Sequence, residues 1–274
     1  MIYVDAKGVR IPAIGLGTWP LRGEDCERSV RAGLEIGYRH IDTAAKYENE
    51  PEVGRGIAAS GVARKDIFLV TKVWNDALRD GDLQRSAERS MKALRQDYVD
   101  LLLIHWPNAA IPLRESLKAL ASVKAKGRAR HVGVSNFPVA LLKEAVEVCG
   151  ADLLCNQVEY HVGLSQRPVL SYIRPRGMML TAYSPTAKGG VGSDALLKRI
   201  GAHHGKTPVQ IALRWLVQQD GVAAIPKASN PNHARENFSI FDFELTPAEM
   251  AEISAIGGDD RLIDPTHGPT WDPA

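Results

Sequence analysis

The sequence predicts an α/β fold: a (β/α)8 TIM barrel with a short N-terminal β-hairpin and an extra C-terminal helix. Three observations carry this expectation. Short apolar runs alternate with longer segments of helical period along the whole chain. Runs such as LLLI are apolar at every position, as expected of parallel strands covered on both faces. The strand–helix units number eight within 274 residues, the size of such a barrel.

The elements follow in order. The opening VDAKGVRIPAIGLGTW puts Lys7-Gly8 at a turn, so residues 3–4 and 9–11 pair as a hairpin. Strands are expected at 14–17, 40–41, 67–72, 99–104, 131–134, 155–159, 179–183 and 223–226. Amphipathic helices are expected at 24–36, 50–59, 83–94, 113–126, 139–148, 167–174, 208–219 and 233–238. Thr207-Pro208 reads as an N-cap with proline in the first turn. Thr246-Pro247-Ala248-Glu249 reads as a capping box that opens the extra helix. Gly37 is placed to end the first helix. A doubly wound open sheet is the competing topology, but GLGTWPLRGED lacks the third glycine of a dinucleotide fingerprint. No linker or repeat divides the chain, so residues 1–274 are expected to form one domain.

Composition narrows the function. Hydrophobic residues make up 45% and charged residues 24%, with a net charge of +2. That balance gives no electrostatic case for nucleic acid or a membrane surface. Cys26, Cys149 and Cys155 are scattered, which argues against a disulfide framework and for a reducing compartment. MIYVDAKGVR lacks the apolar run of a signal peptide, and no stretch approaches the roughly 20 apolar residues of a membrane span. The expectation is a cytoplasmic protein.

Barrel chemistry collects where strands end and βα loops begin. Asp42 and Tyr47 follow the second strand, Lys72 closes the third and His105 follows the fourth. Ser135 and Asn136 follow the fifth, Asn156 and Gln157 lie in the sixth, Tyr183 ends the seventh, and the eighth runs into IPKASN. All would ring one mouth. A tyrosine with an ordinary pKa near 10 exchanges protons poorly at neutral pH. A neighbouring ammonium lowers it, and a carboxylate keeps that ammonium charged in a dry site. Tyr47, Lys72 and Asp42 are one of each type, and His105 is placed to orient a substrate oxygen. Lys46 reads as a solvated loop lysine, and Glu50 and Glu52 as partners of a helix dipole. His203-His204 reads as a solvated helix end, and His40 with Asp42 makes too thin a set for a metal. No metal is expected.

The motifs GLGTW, DTAAKYENE, VTKVW, LIHWP, GVSNF, NQVEYH, AYSP and IPKASNPNHARENF resemble, in order, those of the aldo-keto reductase family. The short loops and the tail DDRLIDPTHGPTWD most resemble its bacterial branch of 2,5-diketo-gluconate and methylglyoxal reductases. The resemblance implies an NADPH-dependent carbonyl reductase without metal, acting on small carbonyl compounds, and a monomer. It implies a catalytic tetrad of Asp42, Tyr47, Lys72 and His105, with Tyr47 as general acid. Cofactor contacts are implied for Thr18, Asp42, Ser135, Asn136, Gln157, Tyr183 and Ser184. At the adenosine end they are implied for Lys227, Ala228, Ser229, Asn230, His233, Glu236 and Asn237. Trp19, Trp74 and Trp106 would wall the substrate pocket with Tyr47 and His105, and the tail with Trp271 would close it. Two departures matter: the family pattern has serine at Ala228 and arginine at His233. Histidine is a poorer partner for a 2′-phosphate, so NADPH preference is expected to weaken and NADH to be usable. The loop PTAKGGVGSD is either a source of backbone amides for a pyrophosphate or a lid. The competing functions are a catalytically silent nucleotide-binding barrel and a metal-dependent barrel hydrolase.

Overall fold

In the computed structural model, which describes residues 1–273, β1 (Tyr3–Ala6) and β2 (Val9–Pro12) pair antiparallel. Lys7 and Gly8 between them take φ of 46° and 77°, the two positive angles that a tight hairpin turn needs.

Eight strands follow: β3 (Leu16–Gly17), β4 (His40–Asp42), β5 (Phe68–Val73), β6 (Val99–Ile104), β7 (Ala129–Ser135), β8 (Cys155–Glu159), β9 (Met179–Tyr183) and β10 (Val222–Ala224). They lie side by side in chain order, every neighbouring pair parallel. Isolated parallel bridges join Ile14 to Ala224 and Gly17 to Lys227. The Gly15 and Gly17 amides donate to Ala224 and Pro226 carbonyls at 2.8 and 3.0 Å, so the sheet curls shut. This seam explains its glycines. A Cβ on Gly17 would stand 2.8 Å from the Ile225 carbonyl oxygen, and one on Gly15 would stand 2.8 Å from His40.

The helices are α1 (Gly23–Ile36), α2 (Glu50–Ala59), α3 (Asp82–Leu94), α4 (Leu113–Ala125), α5 (Val139–Lys143), α6 (Arg167–Ile173), α7 (Ala195–His204), α8 (Pro208–Val217), α9 (Pro231–Phe238) and α10 (Pro247–Ser254). Helix α8 is buried at every position from Gln210 to Val217, whereas the longer outer helices bury a stripe. In α1 the stripe is Cys26, Ser29, Val30, Gly33 and Leu34, the i, i+3, i+4, i+7 spacing of one helical face. Gly37 ends α1 at φ 129°. Thr207 and Thr246 accept from the third helical amides of α8 and α10 in reciprocal capping boxes. No helix among the described residues is long and apolar enough to cross a membrane.

Besides shifts of one or two residues at other element ends, four departures from expectation have a local cause. Helix α7 is additional: Asp194 caps it by accepting from the Leu197 amide at 2.8 Å, and Leu197 and Ile200 are buried. The glycines just upstream mask it. The segment 139–148 splits into α5 and a π-helical turn, Glu144–Val148. Helix α9 starts two residues early because Asn230 caps it and Pro231 suits its first turn. Strand β10 stops at Ala224, before Pro226, which has no N–H to give a ladder.

Candidate active site

Strand register brings the charged groups together. Asp42 ends β4, and its neighbour β5 carries Lys72 two residues beyond the paired position at Val70. Lys72 is fully buried. Its Nζ donates to Asp42 Oδ1 at 2.5 Å, to the Thr43 carbonyl at 2.9 Å and to Tyr47 Oη at 3.4 Å. All three ammonium protons therefore have acceptors. Asp42 Oδ2 accepts from Gln157 Nε2 at 2.8 Å, so each carboxylate oxygen has its own N–H. Tyr47 closes a 3-10 turn, Ala45–Tyr47, that follows β4. His105 follows β6 directly, its amide bonded to the Val73 carbonyl at 2.9 Å.

Burial and charge set the protonation states. Burial works against the Lys72 charge, but Asp42 and then Tyr47 outweigh it, and the ammonium is held above its ordinary value. Burial pushes the Tyr47 phenol up, and Lys72 pulls it back only in part because Asp42 opposes that pull. The net direction is upward, not the lowering the residue types alone suggested. The first cause is burial, and the carboxylate 2.5 Å from the same ammonium adds to it by opposing the Lys72 field. His105 is held well below its ordinary value by burial, then by Lys72 and His267. It is neutral, and its Nδ1 is buried without a partner.

The amide-bearing residues gather at the same rim. Ser135 Oγ donates to the Gln157 carbonyl at 2.7 Å. Asn136, at φ 63°, donates from Nδ2 to the His105 carbonyl at 3.0 Å and accepts from the Tyr183 hydroxyl at 2.8 Å. Thr18 is buried, and its hydroxyl donates to the Asp42 carbonyl at 3.0 Å. Ser184 follows β9 at φ 48°. These groups thus hold one another as well as facing the mouth.

The residues around α9 divide. Lys227, Ser229, Asn230 and His233 are exposed. Ala228 is buried, its carbonyl accepting from Ser29 Oγ at 2.7 Å. Glu236 accepts from Thr207 Oγ1 at 2.8 Å, and Asn237 is buried. The set fits a dinucleotide: Tyr183 offers an aromatic ring beside the tetrad, and exposed Lys227 and His233 lie by a helix N-terminus that favours phosphate. In the loop after β9 the Ala187, Gly189 and Val191 amides are taken by the Ser184 and Thr186 carbonyls.

Aromatic rings line the mouth. Trp19, 52% exposed, lies 5.1 Å from Tyr47. His105 meets Tyr47 at 5.5 Å and Trp74 at 5.1 Å, edge-on. Trp106 is buried behind them, 6.0 Å from Trp271 of the tail. Two residues escaped the sequence reading. His267 reaches from the tail to 5.4 Å from Trp74 and 5.3 Å from Trp106. Glu159, fully buried at the end of β8, accepts from the Leu262 and Ile263 amides at 2.9 and 3.0 Å and holds the tail down. Glu159 closes a strand that reads CNQVE, whose two amides keep it from reading as an apolar run, so its burial was not marked as that of Lys72 was.

Several bland assignments also change. Lys46 is exposed, as expected of a loop lysine, but its ammonium also sits over the Trp74 ring, 5.1 Å from the centroid. Glu50 is no mere dipole partner. It is buried, accepts from Thr71 Oγ1 at 2.6 Å, and has its carboxyl pushed up by burial. His204 is half-buried and bonded to Glu249 at 2.9 Å, and His40 is bonded to the Pro12 carbonyl at 3.1 Å.

Residues 13–257 match the aldo/keto reductase family. The chain is 38% identical to the methylglyoxal reductase DkgB of Salmonella typhi, over 96% of this chain and 99% of that one. It is 39% identical to the glyoxal reductase of Bacillus subtilis, over 93% and 92%. Its fold is similar to a crystal structure provisionally named a 2,5-diketo-D-gluconic acid reductase B, with a TM-score of 0.97, 44% identity and coverage of 99% and 98%.

Proposed function

The chain belongs to the aldo/keto reductase family of carbonyl-reducing oxidoreductases, and from that premise we propose that it reduces small aldehydes and ketones to alcohols with NADPH, NADH being usable. The observation that carries the reading is the fully buried Lys72, set between Asp42 at 2.5 Å and the Tyr47 hydroxyl at 3.4 Å. A bound reduced nicotinamide supplies the hydride. Tyr47 keeps its proton at neutral pH, the form a general acid needs, and donates it as the carbonyl oxygen gains charge. Lys72 then stabilises the phenolate left behind, an interaction strongest in the transition state. Asp42, braced by Gln157, holds that ammonium in place. His105 is neutral, and its buried Nδ1 has no partner to bond a proton. An orphaned buried N–H is unfavourable, so the proton resides on Nε2, as a donor to the substrate oxygen.

The names of the relatives support 2-oxoaldehydes such as methylglyoxal and diketo acids such as 2,5-diketo-gluconate as substrates. Ser135, Asn136 and Gln157 would hold the carboxamide, and Tyr183 would stack on the nicotinamide. The exposed His233, where the family has arginine, weakens the grip on a 2′-phosphate. Comparable kcat/KM with both cofactors fits this. An NADPH advantage above roughly a thousandfold, about 4 kcal/mol, does not. We place the protein in the cytoplasm, and as a monomer, the latter checked by size-exclusion chromatography.

The test is cofactor consumption with methylglyoxal and with 2,5-diketo-gluconate, with and without EDTA, in wild type and Tyr47→Phe. The variant should keep cofactor affinity and lose turnover by a factor of about 100 or more, and EDTA should change nothing. A Tyr47→Phe enzyme as fast as wild type would refute the acid assignment.

A further inference from the structure

We propose that Lys46 and His267 form an anion subsite beside the tetrad, selecting carbonyl substrates that also carry a carboxylate. The proposal rests on the reductase reading and adds the substrate class.

Trp74 is the shared element. Its ring lies 5.1 Å from His105, 5.1 Å from the Lys46 ammonium and 5.4 Å from His267. Both donors therefore stand on the same indole wall as the group that orients the carbonyl. A substrate carboxylate lying along that wall, away from the reacting carbon, would meet them there.

Both donors are kept available. The acid nearest Lys46 in sequence, Glu48, pairs with Arg22 at 3.7 Å. Two of the tail's acids turn elsewhere: Asp264 accepts from Trp271 Nε1 and Asp272 from the Val139 amide, each at 2.9 Å. The indole face holds the ammonium in place. His267 stands on a tail whose backbone is fixed by buried Glu159, and its ring carries an N–H donor whether neutral or charged.

The experiment compares kcat/KM for 4-oxobutanoate and its uncharged methyl ester, so that each protein is its own control. Wild type should favour the acid by about tenfold or more, equivalent to about 1.4 kcal/mol. Lys46→Met should cut that ratio by about fivefold or more, Lys46→Glu should cut it further, and Lys46→Arg should keep it. His267→Phe, which retains the ring packing, should lower it as well. An acid-to-ester ratio near one in wild type, or one that Lys46→Glu and His267→Phe leave unchanged, overturns the subsite. Quenching of tryptophan emission by 4-hydroxybutanoate, with 1-butanol as the neutral control, reads the subsite without turnover. Charge-dependent quenching lost in Lys46→Glu supports the subsite even if no carbonyl is reduced, an outcome that would sink only the reductase reading. Equal quenching by both compounds overturns the subsite.

Discussion

Replacing Lys72 with methionine tests the dry charge pair directly. The side chain is fully buried, and methionine nearly matches its length without its charge. Asp42 would keep the Gln157 N–H at 2.8 Å but lose the ammonium at 2.5 Å. Removing one partner of a buried ion pair costs about 3–5 kcal/mol, because the other charge is left uncompensated. An exposed pair would cost about 1 kcal/mol or less. Asp42→Asn strands the ammonium on the Thr43 carbonyl and Tyr47, at a cost of similar order. The double variant removes both charges and should fall short of the summed losses by up to about 3 kcal/mol. Urea denaturation of the four proteins at pH 7 measures this. The sign of the pH dependence follows from Lys72, whose folded value is raised. The pair's stabilisation is fully present below the unfolded value of about 10.4 and is lost as pH rises through the folded value. The gap between wild type and Lys72→Met should be constant from neutral pH to about 10 and narrow above it. Strict additivity, or a Lys72→Met loss below about 1 kcal/mol, would refute the claim that the Lys72–Asp42 pair is dry.

Other perturbations reach different parts of the molecule. Glu50 has a raised folded value, caused first by burial, so its ionisation destabilises the fold at neutral pH. Glu50→Gln should raise the urea midpoint at pH 7, and the gain should vanish below the unfolded value of about 4.3. His233→Arg should increase the NADPH-to-NADH ratio of kcat/KM by about tenfold or more through a bidentate phosphate contact, and an unchanged ratio would remove residue 233 from the phosphate site. Glu159→Ala strips the acceptor from two tail amides, each bond to a charged group being worth about 1.5–3 kcal/mol. Hydrogen exchange at Leu262 and Ile263 should quicken, and unaltered protection there would show that other contacts hold the tail.

The parts of the fold legible in the sequence are those where one physical cause dominates. Apolar runs covered on both faces, as in the LLLI that ends Val99–Ile104, announce parallel strands without help from distant residues. Lys72 was legible because a lysine closing such a run has no solvated explanation. Helix α7 was not, because its cap and two buried leucine-type positions were outweighed locally by the glycines of AKGGVGSD. The direction of the Tyr47 shift was not legible either. It depends on two opposed charges and a degree of burial that only the fold sets. His267 was invisible for a third reason. Nothing in DPTHGPTWD says that the tail crosses back over Trp74 and Trp106. That path is fixed by Glu159, more than a hundred residues earlier in the chain.

This contrast separates what the barrel holds rigid from what it leaves adjustable. Asp42, Lys72 and Gln157 sit on strands hydrogen-bonded to neighbours on both sides, so none can move without disturbing two ladders. The tail has no such constraint. It is held by the Glu159 carboxylate, by Asp272 on the Val139 amide, and by backbone bonds from Ser165 to Gly258 and from Asp260 to Gly163. Its side chains can therefore change while those anchors stay. A substitution at exposed His267 removes little buried area and no ladder bond, so it should leave the urea midpoint of the barrel in place while altering which carbonyls are reduced. A substitution at Lys72 should do the opposite, lowering the midpoint and suppressing turnover for every substrate alike.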